Sequence, residues 1–570
     1  MDRTLRRALT IGGLASAANV HVSLVGMVIT FQTRDFIADV ITLGSVMPLL
    51  IAMVAGWLAG RPDKATAGTP SAATVIVGGA LAGAVAGAVL AGLAFLIGVV
   101  DLQSVLVNAS SRLVEALQFG QGATIGTLLL VGGSAAVGAM GAALHVLPSL
   151  LARAVTIGLS TTLGFTLMEP FISAVLRNLS LDVVERLIFA GGGLTPLGFV
   201  LVFLVSAGIA YAWGRRGHVA RERVAAMPED RQRTMKLIAF ALIGVLLLAL
   251  PQIVGQRLSE VLTTVGIYVL LGLGLNIVVG FAGLLDLGYV AFYAVGAYVT
   301  AILTSPVSPL FNPQLSFWAA LPFVIVAAAF IGLMVGTPVL RLRGDYLAIV
   351  TLGFGEIARI IFLSEWAKPI AGGAQGILSV PPPLPFSRDP QIIYYPILFF
   401  CVLAALGAVS LASSRVGRAW NAMREDESVA EATGVSTVKY KLLAFGLGAA
   451  FGCLSGALFA AKIGTIFPNS FDILVSINAL SLIILGGMGN IFGVVLGAFV
   501  LVGLPELLRE FSEFRLLLYG AVLVAMMILR PEGLLPSRSR RAELHERADD
   551  DEEIYDADAG VDTGRPVVTT

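Results

Sequence analysis

The chain has 570 residues, with 37 basic and 37 acidic side chains, so its formal net charge at neutral pH is zero. Hydrophobic residues make up 57% and charged residues only 13%, against about 25% charged in an average soluble domain. A soluble fold of this length could not cover so much apolar surface with so few charges, and the balanced charge offers nothing to a polyanion such as nucleic acid.

The composition therefore predicts an all-α, polytopic membrane protein. Stretches 238–250, 325–335 and 495–504 are each the middle of an uncharged run, long enough to supply the ~20 apolar residues that cross ~30 Å of hydrocarbon. Cys401 and Cys453 lie in apolar segments, and His21, His145, His218 and His545 are scattered. Such cysteines read as small buried hydrophobes, and the pattern gives no metal site, catalytic residue or cofactor.

At the N-terminus, Arg3, Arg6 and Arg7 precede an apolar run, and Ala15-Ser16-Ala17 has the look of a signal-peptidase site. The apolar character continues to Ile29, so this segment is expected to stay as a first membrane helix. The first block, 1–213, has expected spans near 8–30, 37–60, 73–100, 122–147, 153–176 and 187–213. Its Glu169-Pro170 and Asp182 to Arg186 read equally as loop ends or as sites.

A basic linker, 214–236, follows, carrying Arg215, Arg216, Arg221, Arg223, Arg231, Arg233 and Lys236. The second block, 237–536, has expected spans near 237–254, 261–282, 287–304, 316–340, 346–363, 391–413, 441–462, 473–488, 491–508 and 514–529. The pair 473–488 and 491–508 is short enough to be re-entrant. The total is about 16 segments, about 6 in the first block and about 10 in the second. The tail, 537–570, with its acidic run 549–553, Asp556 and Asp558, is expected to be disordered. No motif of the second block recurs in the first, so an internal repeat has no support.

Orientation follows from the basic clusters, because Lys and Arg are retained on the cytoplasmic side. With these spans Arg3/Arg6/Arg7, Arg61/Lys64, Arg153, the linker, Arg341/Arg343, Arg415/Arg418/Arg424 and Arg538/Arg540/Arg541 all fall on one side. Both termini are then expected in the cytoplasm.

Four stretches of the second block differ from ordinary helix filler. In 275–289, Asn276, Asp286, Tyr289 and Gly280, Gly283 and Gly288 interrupt an apolar region. A broken helix at membrane depth is tolerated only where protein covers it or it lines a cavity. Asp286 alone reads as the cap of a short helix starting at Leu287, which is compatible with a cavity wall. In 345–359, Thr351 and Glu356 lie within an expected span. A carboxylate there must face protein or water, or pair with Arg359 three residues on; both readings stand. In 415–434, charge interleaved with apolar positions and a terminating Gly434 predict a short packed helix outside the membrane. In 486–493, Gly486-Gly487-Met488-Gly489-Asn490-Ile491-Phe492-Gly493 lacks the spacing and βαβ setting of a phosphate loop, and predicts a tight turn with close helix contact.

Taken in order, GFAGLLDLGYVAFYAVGAY (280–298), LRLRGDYLAIVTLGFGEIAR (340–359), GGAQGI (372–377), RVGRAWNAMREDESVAEATGVSTVKYKLLAFGLGAAFGCLSGAL (415–458), SLIILGGMGNIFGVVLGA (481–498) and RPEGLL (530–535) resemble the permease family of branched-chain amino acid ABC importers. The likeness is to the LivM-type subunit in particular and spans about residues 237–536. It implies a multi-pass protein of a prokaryotic inner or plasma membrane, surrounded by lipid, that is not itself an enzyme. It implies as partners a second related permease, two cytoplasmic ATP-binding subunits and an extracytoplasmic substrate-binding protein. Carried onto this sequence, it makes Arg418, Arg424, Glu425, Asp426, Glu431 and Gly434 the ATPase-coupling segment, and Asn276, Asp286, Tyr289, Thr351 and Glu356 the substrate path. Gly372, Gly373 and Gln375 fall on the outer side, where a binding protein would dock. Residues 1–236 carry none of these motifs, and their role stays open.

An ion-coupled secondary transporter would need midplane ionisable groups and a repeat, for which Glu356 alone is thin support. A membrane enzyme would need a converging acid, base or metal set. A self-contained ATPase would need GxxxxGK[ST], and the chain has no Gly-Lys dipeptide. Urea, amides or small organic acids remain alternative cargoes for the same type of complex, since fold does not fix substrate.

Overall fold

The computed structural model describes residues 3–61, 71–225, 227–310, 313–339, 345–384 and 387–507, together with 517, 520, 524 and 533–535. Lys64, Arg341, Arg343, the cluster Arg538/Arg540/Arg541, most of the expected span 514–529, the start of RPEGLL and the acidic tail lie outside the described residues. The chain divides into two compact units, Met1–Leu247 and Leu248–Thr570.

The first unit begins with α1 (Arg3–Val25) and α2 (Met27–Phe31), then β1 (Asp35–Ile37), β2 (Ile41–Thr42), α3 (Leu43–Ala59) and α4 (Ala72–Val99). It continues with α5 (Ser111–Leu117), α6 (Ala123–Ala143), α7 (Ser149–Leu167), α8 (Glu169–Asn178) and α9 (Asp182–Ile188). After β3 (Phe189–Ala190) and β4 (Gly193–Leu194) comes α10 (Pro196–Ala225). Small residues hold the helices together. Gly79 and Gly83 of α4 lie against the backbone of Ser134 and Gly138 of α6, the close approach that glycine and alanine permit between membrane helices.

Several expected spans of this unit are shorter than their hydrophobic runs. The run 8–30 breaks at Gly26, and Asn108 Nδ2 donates to the freed carbonyls of Leu24 (3.0 Å) and Val25 (2.8 Å). The run 37–60 yields its first residues to a small sheet of order β2-β1-β4-β3, and Thr42 then caps α3 through the Ser45 amide. The run 153–176 divides between α7 and α8, because Pro170 belongs in the first turn of a new helix. Glu169, at that helix start, pairs with Arg34 at 3.0 Å with both side chains largely buried.

The basic stretch 214–236 is largely helical. α10 runs on to Ala225, and α11 (Glu229–Leu275) starts just after Pro228, since Arg, Glu and Ala favour helix and Pro interrupts it. Inside α11, Gly255 leaves the helical conformation at φ 76°. That break separates the expected spans 237–254 and 261–282. The division between the two units falls at Leu247/Leu248.

In the second unit α11 passes into a wide π-helical segment, Asn276–Phe281, followed by α12 (Val290–Thr304), α13 (Phe317–Val339) and α14 (Asp345–Leu363). Then come α15 (Lys368–Ala371), α16 (Pro390–Ser413), α17 (Arg415–Glu425), α18 (Glu427–Ala432) and α19 (Thr437–Ile463). The last described helices are α20 (Ile473–Gly486), α21 (Ile491–Ala498) and α22 (Leu504–Leu507). α12 and α19 form the centre: Gly296 of α12 meets the Cys453 carbonyl, and Gly456 of α19 meets the Tyr293 carbonyl. Tyr289, Phe292, Tyr298, Phe445 and Phe471 are fully buried around this crossing.

Among the described residues 11 helices are long and apolar enough to cross a membrane, with shorter apolar helices at Leu43–Ala59, Val290–Thr304 and Ile491–Glu506. The architecture is all-α and polytopic apart from the small sheet.

Candidate translocation path and coupling site

The break between α11 and α12 gathers polar contacts from four directions. Its π-helical turn is closed by the Ala282 amide on the Ile277 carbonyl (3.1 Å) and the Leu284 amide on the Val278 carbonyl (2.9 Å). Asn276 is fully buried, and its Oδ1 accepts from the Gly489 amide at 2.9 Å. Asp286 Oδ1 accepts from the Gly288 amide at 2.9 Å. The Leu287 amide donates to Thr351 Oγ1 of α14 (3.0 Å), and the Val290 amide donates to Ser476 Oγ of α20 (2.8 Å). Tyr289 Oη donates to the Gly448 carbonyl of α19 at 2.6 Å. The unwound backbone, buried among the surrounding helices, thus finds partners in side chains and neighbouring backbone.

The expected cap at Asp286 is corrected in its position. The helix begins at Val290 rather than Leu287, and the Asp286 carboxylate closes a turn onto the amide two residues on. Gly288 permits this arrangement, since a Cβ there would overlap the Thr351 carbonyl. Asn276 Nδ2 and Asp286 Oδ2 are buried with no hydrogen-bond partner among the described residues.

Asn276, Asp286, Tyr289 and Thr351 are therefore brought to one junction, each at most 1% exposed. Glu356 lies apart from them on α14. Arg359 Nε donates to both of its carboxylate oxygens (3.0 and 3.1 Å), a further contact comes from Arg359 Nη2, and Arg359 Nη1 reaches Asn469 Oδ1 at 3.4 Å. The pair keeps 26% (Arg359) and 37% (Glu356) of its side chains exposed.

Stretch 415–434 is two helices where the sequence predicts one. Ser414 Oγ accepts from the Val416 and Gly417 amides to start α17. Asp426 then turns extended, and its Oδ1 accepts from the Ser428 (2.8 Å) and Val429 (3.0 Å) amides. A carboxylate so placed ends one helix by capping the next. Gly434, at φ 91°, follows α18. Arg418, Glu425, Asp426, Glu431 and Gly434 are exposed, whereas Arg424 is half-buried, with Nη1 donating to the Gly280 carbonyl at 2.9 Å.

Two contacts that sequence reasoning missed fix this pair of helices to α19. Trp420, fully buried, donates from Nε1 to the Tyr440 carbonyl at 2.9 Å. Lys441 Nζ meets Glu427 Oε1 at 2.6 Å. A lysine near the start of an apolar helix was the available signal for the second.

The glycine-rich stretch 486–493 is a tight turn with close helix contact, as the sequence predicts. Asn490 caps α21 through the Phe492 and Gly493 amides, and Gly486 and Gly493 meet backbone to backbone. Asn490 Nδ2 also donates to the Leu535 carbonyl at 2.8 Å, so the end of RPEGLL docks on this turn. Gly372 and Gly373 take left-handed conformations (φ 79° and 57°) around a turn that exposes Gln375. The next residue but one, Ile377, pairs with Ile466 through backbone bonds of 3.0 and 2.9 Å. Among the described residues no three His, Cys, Asp or Glu side chains come together as a metal site.

The family model described as "Branched-chain amino acid transport system / permease component" matches residues 257–530. The chain is 43% identical over 327 residues to the high-affinity branched-chain amino acid transport system permease protein LivM of Escherichia coli (strain K12), covering 53% of this chain and 75% of the relative. It is 25% identical over 328 residues to a probable LivM of Methanocaldococcus jannaschii (49% of this chain, 94% of the relative). It is 27% identical over 297 residues to the permease protein BraD of Pseudomonas aeruginosa (49% of this chain, 95% of the relative). No solved structure matches the chain. With so much of a full-length permease matched at that identity, and with the helix break, the short helices α17 and α18 and the glycine turn all lying inside the matched region, the chain belongs to the permease family of branched-chain amino acid transport systems.

Proposed function

We propose that the chain is the membrane permease subunit of an ABC importer, moving branched-chain or related hydrophobic amino acids with energy from separate ATPase subunits. The observation that carries this reading is the pairing of a buried helix break, 276–289, with two short, charged, outward-facing helices that touch it through Arg424. A permease driven by a separate motor needs both features: a breakable barrier and a rigid surface for the motor to push.

In this reading 237–536 is the permease region, 214–236 a cytoplasmic basic stretch, 1–213 an additional membrane block and 537–570 a cytoplasmic acidic tail, with both termini in the cytoplasm. Asn276, Asp286, Tyr289 and Thr351 act as a closed gate, because their burial leaves no open wall in this conformation. Glu356 and Arg359 face the path or the second permease. A half-exposed ion pair on an otherwise apolar helix is costly against lipid, and Ile349, Ile357, Ile360 and Ile361 leave that face apolar around it. The Gly372–Gly373 turn meets the substrate-binding protein on the outer side, and Arg418, Glu425, Asp426 and Glu431 meet the ATPases.

Charge reversal tests the docking. The variant Glu425→Lys/Glu431→Lys, at two exposed positions without described contacts to the core, is expected to reach the membrane at wild-type level and to lose co-purification with the ATPase subunits. Co-purification at the wild-type level would exclude α17 and α18 as the docking surface.

A further inference from the structure

Arg424 is set apart from the other charged residues of its segment. Arg418, Glu425, Asp426 and Glu431 are exposed, and the side-chain bonds of Arg418 and Asp426 stay within their own segment (Ser413 carbonyl; Ser428 and Val429 amides), while Arg424 sends its guanidinium inward to the Gly280 carbonyl at 2.9 Å. Gly280 belongs to the π-helical turn, where the backbone ladder is irregular and a carbonyl is free to take an outside donor. The stem of the arginine crosses Gly283. At φ 72°, Gly283 occupies a left-handed conformation, and a Cβ there would come within 2.9 Å of Arg424 Cγ. Glycine therefore both terminates the wide turn and leaves room for the arginine.

Each end of this contact is anchored. On one side α17 and α18 are fixed by the buried Trp420 and by the Glu427–Lys441 pair, so they move as a body with the start of α19. On the other, the π turn is tied by Asn276 Oδ1 to the Gly489 amide, and through Asn490 to the Leu535 carbonyl. A push on α17 thus has a direct hydrogen-bonded route, Arg424 to Gly280, into the segment that carries Asn276 and leads to Asp286.

We propose that Arg424 is the positioning residue that transmits displacement of α17 and α18 to the helix break, its single donated hydrogen bond holding the π turn closed until the coupling helices move. This rests on the importer reading and adds to it a named mechanical link. The acceptor is a backbone carbonyl, so the contact needs a donor of the right reach and does not need the bidentate geometry of arginine.

The test uses the complete complex in proteoliposomes and reads substrate moved per ATP hydrolysed. Arg424→Met keeps the stem over Gly283 and removes the donor; Arg424→Lys keeps one donor at similar reach. The expected result is a ratio lowered about tenfold or more in the methionine variant and held within about threefold of wild type in the lysine variant. Gly283→Ala, which displaces the arginine stem, is the second route to the same loss if the methionine complex is not recovered. A methionine or alanine variant with the wild-type ratio, or a lysine variant as uncoupled as methionine, would overturn the proposal. Failure of the importer reading is distinguishable, because the wild-type complex would then move substrate without consuming ATP.

Discussion

Lys441 carries its charge into the packed start of α19, where only 3% of the side chain is exposed and Glu427 meets it at 2.6 Å. Removing one partner of a buried pair leaves an uncompensated charge, which costs about 3–5 kcal/mol, whereas replacing both by apolar groups is often close to neutral. Glu427→Gln is therefore expected to lower the thermal stability of the detergent-solubilised protein markedly, and Glu427→Leu/Lys441→Met to restore most of it. A double variant as unstable as the single one would mean that the pair does more than neutralise itself. Arg359 beside Glu356 was legible in the sequence from its spacing of three on a helix. The Glu427–Lys441 pair was not, because it joins two helices whose mutual packing no local pattern encodes. The position of Asp286 was half legible: its role as a local acceptor could be read, but the helix start at Val290, three residues beyond the expected Leu287, depends on Thr351 and Ser476, distant in the chain.

At the level of elements, the single helix expected over 415–434 divides because one residue wins a local competition. Asp426 offers its carboxylate to the Ser428 and Val429 amides, and such a cap is worth about 1 kcal/mol. In Asp426→Ala the cap is lost, and faster amide exchange is expected over α18 than in wild type, with the buried half of α17 around Trp420 unchanged. Equal exchange over α18 in both proteins would show that packing alone holds the second helix. The same logic explains α1 and α2, which a hydropathy reading joins into one span and which Gly26 and Asn108 separate. Short strands of two or three residues, as in β1 to β4, leave no alternation long enough to be seen in sequence. The turn at 487–490 was the opposite case, since its glycines and Asn490 specify it locally.

For the whole molecule, composition alone established a membrane protein, because it is set by the solvent around the chain. The ordered motifs assigned the second unit, where the helix break, the short helices α17 and α18 and the glycine turn occur together and where the family model matches at 257–530. The first unit, Met1–Leu247, has a packed Gly- and Ala-lined core of its own and lies wholly before the residues that the family model matches. The central claim is that this permease moves branched-chain amino acids only when a separate motor acts on it. The direct measurement is uptake of labelled leucine into proteoliposomes holding the chain with its second permease and ATPase subunits, with substrate-binding protein outside and ATP within. Uptake that requires ATP and all the subunits, and that isoleucine and valine compete while urea does not, is the expected result. Uptake by this chain alone, driven by a proton or sodium gradient without ATP, would contradict it.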